Sequence, residues 1–107
     1  MSEQKKRPAH EVILSQLDTR MHEWRRLNAL VCDENRIDSD GLEEDRFLLN
    51  MEIGQIVVLF SVLSQMIIPE KHYKETIEQL RQYVDGPVEF SALIDSLVEE
   101  SKPKAQN

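Results

Sequence analysis

The chain has 107 residues, a net charge of −7, 40% hydrophobic residues and only three glycines. This length fits one domain with a small core, and the few glycines argue against a turn-rich β fold. The acidic balance argues against a general nucleic-acid surface, because phosphates repel it. Cys32 is the single cysteine, so no intrachain disulfide forms. The N-terminus lacks the apolar segment of a signal peptide, and we therefore expect a cytoplasmic protein.

A long amphipathic helix is predicted first, after a disordered basic tail at residues 1–7. Pro8 suits the first turn of a helix, and the pattern extends to about Arg36. Apolar residues recur at spacings of three, four and seven, which indicates one buried stripe. The stripe consists of Ile13, Leu14, Leu17, Met21, Trp24, Leu27, Leu30 and Val31. The acidic run at 33–46 follows and is expected to be solvated, with "IDSDG" breaking the helix.

The second predicted helix starts near Ser39 or Asp40 and runs to about Ile68, where Pro69 ends or kinks it. It carries three apolar rows, more than one neighbouring helix covers. The main heptad row is Leu49, Ile53, Ile56, Phe60, Leu63 and Ile67. A row of mostly small residues contains Asn50, Gly54, Val57, Ser61, Ser64 and Ile68, and a third contains Leu59, Val62 and Met66. Because a small monomer cannot cover all three, we expect a second copy to do so in an isologous homodimer.

A membrane span is the alternative for residues 47–68, which are long enough to cross a bilayer. They contain one charged residue, Glu52, but also Asn50, Gln55 and Gln65, each costly in hydrocarbon. Neither end has a Trp or Tyr, and both flanks are rich in charges. We therefore expect a buried helix in a soluble bundle and no membrane contact.

Two shorter helices are predicted next. The third runs from Pro69 to Val84 and is ended by Asp85-Gly86-Pro87, with Gly86 as a left-handed cap. The fourth covers 88–100 and points Phe90, Leu93, Ile94 and Leu97 inward. The predicted fold is all-α: a small helical bundle of two long antiparallel helices plus two shorter C-terminal helices. Its single domain covers 8–101, and 102–107 form a disordered tail.

No catalytic or metal-binding motif is apparent in the sequence. His10, His22 and His72 lack the spacing of a helical metal pair and are expected at the surface. "DSDG" fails as a calcium loop, because Arg36 and Phe47 would occupy the two acidic end positions. Cys32 lies next to the apolar stripe and is expected to be buried and inert. We therefore predict a non-enzymatic protein without cofactors.

Two segments carry a resemblance to a known family. "HEWRRLNALV" is followed, after a polar break, by "DRFLLNMEIGQIVVLFSVLSQMIIPEK", a long apolar helix closed by Ile-Pro. Over residues 15 to 70 this is similar to the small quorum-sensing antiactivators of the TraM type, and the length and acidic surface resemble the QslA-like members. Those proteins lack helices of this form at residues 70 to 100. "GQIV" and "FSALID" give a weaker resemblance to connector proteins of the AriR/YmgA type.

The resemblance implies a regulator that binds a LuxR-type transcription activator and blocks its dimerisation or DNA binding. We expect contacts with this partner, or with a second copy, through Trp24, Leu27, Leu30, Val31, Phe60, Leu63, Met66 and Ile67. The alternatives are a two-component connector and a DNA-binding regulator. The latter would contact phosphates through Arg20, Arg25 and Arg26, which lie with His22 near one face of the first helix.

Overall fold

The computed structural model describes residues 7–37 and 39–102, without the side chains of Ser39 and Asp40. Its elements are α1 (Ala9–Val31), α2 (Ser39–Gln65), a 3₁₀ turn (Glu70–His72), α3 (Tyr73–Arg81) and α4 (Ser91–Ser101). Within these ranges there is no strand, which confirms the predicted all-α class. Apart from Arg7 and Lys102, the two predicted tails lie outside the described residues.

The two long helices form an antiparallel hairpin. Arg36 pairs with Asp45 at 2.7 Å near the connection, and Arg20 pairs with Glu52 at 2.7 Å further along both helices. α1 ends at Val31, before the predicted limit of Arg36. The Asp33 side chain accepts a hydrogen bond from the Asn35 backbone N–H at 3.0 Å, and such local turns compete with helix.

The core lies on one side of the hairpin, where α3 and α4 cover the first half of α1 and the second half of α2. Phe60 of α2 meets Phe90 edge to face, with ring centroids 5.0 Å apart. The buried apolar residues are Leu14, Leu17, Met21, Trp24, Leu27, Ile56, Leu63, Ile68, Tyr73, Ile77, Leu80, Tyr83, Phe90, Leu93 and Leu97. The α2 residues before Ile56 therefore have α1 as their main neighbour.

Tyr83 attaches the C-terminal helices to α1. Its hydroxyl donates to Asp18 at 3.1 Å and accepts from Gln79 Nε2 at 3.0 Å, while Gln79 also donates to the Leu14 carbonyl. Burial raises the pKa of Tyr83 to about 12, so the phenol is neutral near pH 7. This buried polar group is therefore satisfied and fixes the register of the α3 end on α1.

The predicted third helix is wrong in two respects. Its start is a 3₁₀ turn, and α3 ends at Arg81 instead of Val84. Gly86 is also not a left-handed cap, because no described glycine has a positive φ. Gly86 instead permits a close approach: a Cβ there would lie 2.6 Å from Met21 Cε and 3.2 Å from the Tyr83 carbonyl oxygen.

Candidate functional site

Helix α2 carries apolar residues on two opposite faces. The inner face packs into the core through Ile56 and Leu63, which are fully buried. The outer face exposes four large residues at helical spacings of four, seven and four, which we call the outer stripe. Its members and exposed fractions are Phe47 63%, Met51 47%, Val58 61% and Val62 41%. The stripe spans roughly 22 Å of helix, so the monomer leaves a continuous apolar face in water.

A groove of about 730 Å³ runs between the outer stripe and α1. Its α1 wall is polar and consists of Ser15, Gln16, Thr19 and Arg20, and its α2 wall consists of Met51, Gly54, Gln55, Val58 and Leu59. At the centre lies Gly54, where an added Cβ would meet nothing within 4 Å. A second helix could therefore approach the α2 backbone closely at this point.

An ion pair at the edge of the groove sets the rotation of α2 against α1. Arg20 donates to Glu52 at 2.7 Å and to the Gln55 side-chain oxygen at 3.3 Å. Glu52 is itself buried, so turning α2 about its axis would leave a carboxylate without its partner. This pair therefore holds the outer stripe towards solvent.

The structure places the eight predicted contact residues in different environments of the single chain. Trp24, Leu27 and Leu63 are buried in the core, so a partner cannot reach them. Phe60 and Met66 are partly buried against the same core. Of the remaining three, Ile67 is 96% exposed, Leu30 is exposed and Val31 is half-buried. The sequence-based prediction does not include the outer stripe, although its spacing is visible, because it places the α2 contacts at Phe60, Leu63 and Ile67 of the heptad row and at Met66 of the third row.

The arginines predicted to contact phosphates are each engaged with a carboxylate. Arg25 makes two hydrogen bonds to Asp85, at 2.9 and 2.8 Å, and these lower the pKa of Asp85. Arg26 pairs with Glu23 at 2.6 Å, and Arg20 pairs with Glu52. A phosphate backbone would have to compete with these acids, which disfavours the DNA-binding alternative.

Two predictions about single residues are also corrected. Cys32 is exposed, not buried. His10 is 3% exposed and not a surface residue, and its ring centroid lies 4.8 Å from that of His72. Burial is the main cause that lowers the pKa of His10, followed by the nearby His72. His22, whose side chain is 67% exposed, is at the surface as expected.

By length and composition, Gly41–Gln65 is the one helix in the described ranges that is long and apolar enough to cross a membrane. Only 17% of its most apolar 18-residue stretch is buried. The expectation that helix α2 is largely enclosed therefore fails for the single chain. The expectation that its apolar surface exceeds what one chain covers is confirmed.

The fold and this surface define a small all-α protein with an uncovered apolar helix face. Comparison with known proteins finds no matching family model, no matching curated protein and no matching solved structure.

Proposed function

We propose that this protein is a non-enzymatic regulator that acts by binding other proteins, and that it does so as a homodimer joined through the outer stripe. The observation that carries the proposal is the exposure of Phe47, Met51, Val58 and Val62 on one face of α2. Monomeric soluble proteins rarely leave continuous apolar patches uncovered, and those that exist mark interaction sites. Association would remove this face from water.

The symmetry of the stripe favours a second copy as its occupant. Phe47 and Val62 are equally far from the midpoint between Gly54 and Gln55, and so are Met51 and Val58. An antiparallel pair of α2 helices with its two-fold axis at that midpoint would place each residue opposite its counterpart. Large residues would then meet smaller ones, and Gly54 would allow close approach at the axis, as an isologous interface requires.

A parallel pair fits the stripe less well. In a parallel pair, Phe47 would face Phe47 of the second chain, and the two large rings would push the helices apart. Gly54 would face Gly54 of the second chain and leave a gap. The parallel pair would also bring the exposed Glu43 and Glu44 of both chains together at one end. The antiparallel pair separates these acids and aligns the helix dipoles favourably.

Disulfide trapping tests this arrangement. In a Cys32→Ser background, Met51→Cys chains mixed with Val58→Cys chains should form a mixed disulfide, read by non-reducing electrophoresis. Met51→Cys alone should not cross-link, because its two copies would lie roughly 10 Å apart along the axis. Self-linking of each variant without mixed dimers would indicate the parallel pair and overturn this one.

For the target, we propose a LuxR-type transcription activator, following the resemblance of the sequence. The surface assigned to it is the hairpin end, which the dimer would leave free. There the 96% exposed Ile37 is accompanied by the exposed acids Asp33, Glu34, Glu43 and Glu44. An apolar contact ringed by acids complements the basic surface with which an activator holds DNA. Binding there would exclude DNA.

Competition with DNA tests the target assignment. Adding the protein to a LuxR-type activator bound to labelled promoter DNA should lower the fluorescence anisotropy of the DNA. Glu43→Lys with Glu44→Lys should weaken this effect at least tenfold. Glu78→Lys with Glu89→Lys changes the net charge equally at other exposed sites and should not. An activator that keeps its DNA at saturating protein would contradict this assignment while leaving the dimer intact.

Membrane insertion of α2 is the competing use of the same apolar face. It would require α2 to leave α1, which exposes the core around Leu17 and Leu63 and carries Glu52 into hydrocarbon without Arg20. Co-sedimentation of the protein with lipid vesicles, with loss of the cross-link above, would replace the dimer by this alternative.

A further inference from the structure

We propose that His10, Glu11 and His72 form a binding site for one divalent metal ion of the zinc class. His10 and Glu11 lie in the first turn of α1, and His72 ends the 3₁₀ turn that precedes α3. One potential ligand atom from each of the three side chains lies within 4.8 Å of the others. The fold thus joins residues that are 62 positions apart in the chain.

The ligand types suit this ion. Two imidazole nitrogens and one carboxylate oxygen form a common three-residue zinc set, and the fourth position is left for water. In a tetrahedral site with bonds near 2.05 Å, ligand atoms are roughly 3.3 Å apart. The atoms now lie within 4.8 Å of one another, so ligation requires them to come closer, and the half-buried Glu11 and His72 side chains have more room to turn than a buried one.

The hydrogen bonding of the His10 and His72 rings is a second, independent observation. His10 is 3% exposed, yet neither its ring nor that of His72 has a hydrogen bond or ion pair with any described residue. The ring nitrogens are not among the fully buried unpaired polar atoms, so they keep access to solvent and can reach an ion. A metal ion bound between the rings would give one nitrogen of each ring a partner.

The surroundings favour a cation overall. The N-terminus of α1 and Arg7 oppose positive charge here, and the carboxylates of Glu11 and Glu75 offset them. Both Glu11 and Glu75 line, with His10, a cavity of about 270 Å³. Thr76 lines the same cavity, and its buried hydroxyl has no hydrogen-bond partner. A water on the ion could accept that hydroxyl's hydrogen bond, as groups around bound metals commonly do.

An ion at this position would act as a structural clamp. It would tie the first turn of α1 to the segment between α2 and α3, where proline and the 3₁₀ turn leave few helical hydrogen bonds. Because the unfolded chain does not hold the three ligands together, the ion would bind the folded state and stabilise it.

Zinc titration of the untagged full-length chain tests the proposal. After treatment with EDTA and its removal, isothermal titration with ZnCl₂ should show one ion per chain. At free zinc of about 100 times Kd, the melting temperature should rise by on the order of 10 °C. His72→Gln should weaken zinc binding at least tenfold and abolish most of this rise. Circular dichroism of the metal-free variant should match that of the parent, since His72 is half-buried.

The matched controls are His22→Gln and Cys32→Ser, which change the other exposed ligand types and should keep the parent affinity. Glu11→Gln gives a second test at a half-buried position and should also weaken binding. Absence of stoichiometric zinc binding in the parent would overturn the proposal. Equal affinity in the parent and His72→Gln, or a loss in His22→Gln as large as in His72→Gln, would do so too.

Discussion

Val58→Asp should convert the proposed dimer to a monomer. Val58 is 61% exposed near the middle of the outer stripe, so the isolated chain should accept the carboxylate. In the antiparallel pair the substitution occurs twice, opposite Met51 of each partner. Losing two buried valines at about 1.5 kcal/mol each weakens Kd at least roughly 100-fold, and the two buried charges add to this. Analytical ultracentrifugation over a range of concentrations measures the effect.

Val84→Asp is the matched control, because it makes the same change at a valine that is 88% exposed outside α2. It should leave the dimer mass and Kd unchanged. If Val58→Asp sediments as the parent does, the outer stripe is not the interface. If both variants become monomeric, the effect reflects net charge and the site assignment fails.

Leu63→Ala should lower the free energy of unfolding by about 3 kcal/mol, whereas Val62→Ala should lower it by less than about 1 kcal/mol. Leu63 is fully buried between α2 and the C-terminal helices, and its neighbour Val62 is 41% exposed on the outer stripe. Removing buried methyl groups costs transfer free energy and leaves a cavity, while an exposed side chain loses little.

Urea unfolding of both variants in a Val58→Asp background isolates this effect, because dimerisation would otherwise add to the apparent stability. The midpoint should shift strongly for Leu63→Ala with an unchanged slope. Similar midpoints for the two variants would contradict the burial of Leu63, and with it the assignment of the inner and outer faces of α2.

The helices could be predicted from the sequence because their periodicity is local. The spacing of Leu17, Met21 and Trp24 identifies the buried face of α1. Pro69 predicts the end of α2 to within a few residues, since the helix ends at Gln65 instead of near Ile68. The ends of the helices were predicted less accurately, because local side-chain hydrogen bonds can end a helix early, as the Asp33 turn after Val31 shows. The role of Gly86 could not be predicted from its neighbours, because it depends on a close approach to Met21, 65 positions away in the chain.

Periodicity alone could not predict which of the apolar faces of α2 points towards solvent. Three apolar rows were evident, but the rotation of α2 depends on the pairing of Arg20 with Glu52, which lie 32 positions apart. The approach of His10 to His72 is likewise a product of the fold, since no short-range spacing links them. The exposure of Cys32 could not be predicted from its neighbours either. Its position beside the apolar stripe predicts burial, but α1 ends at Val31 and leaves Cys32 exposed.

Gly54 shows that α2 is not optimised for the single chain. A glycine within a helix destabilises it by roughly 1 kcal/mol relative to alanine, and here the space around the missing side chain is open. Alanine at this position should therefore make the isolated protein more stable. Gly54 therefore lowers the stability of the folded single chain at the point where two α2 helices would come closest. Alanine would suit the single chain better at this position, whereas glycine suits the proposed dimer.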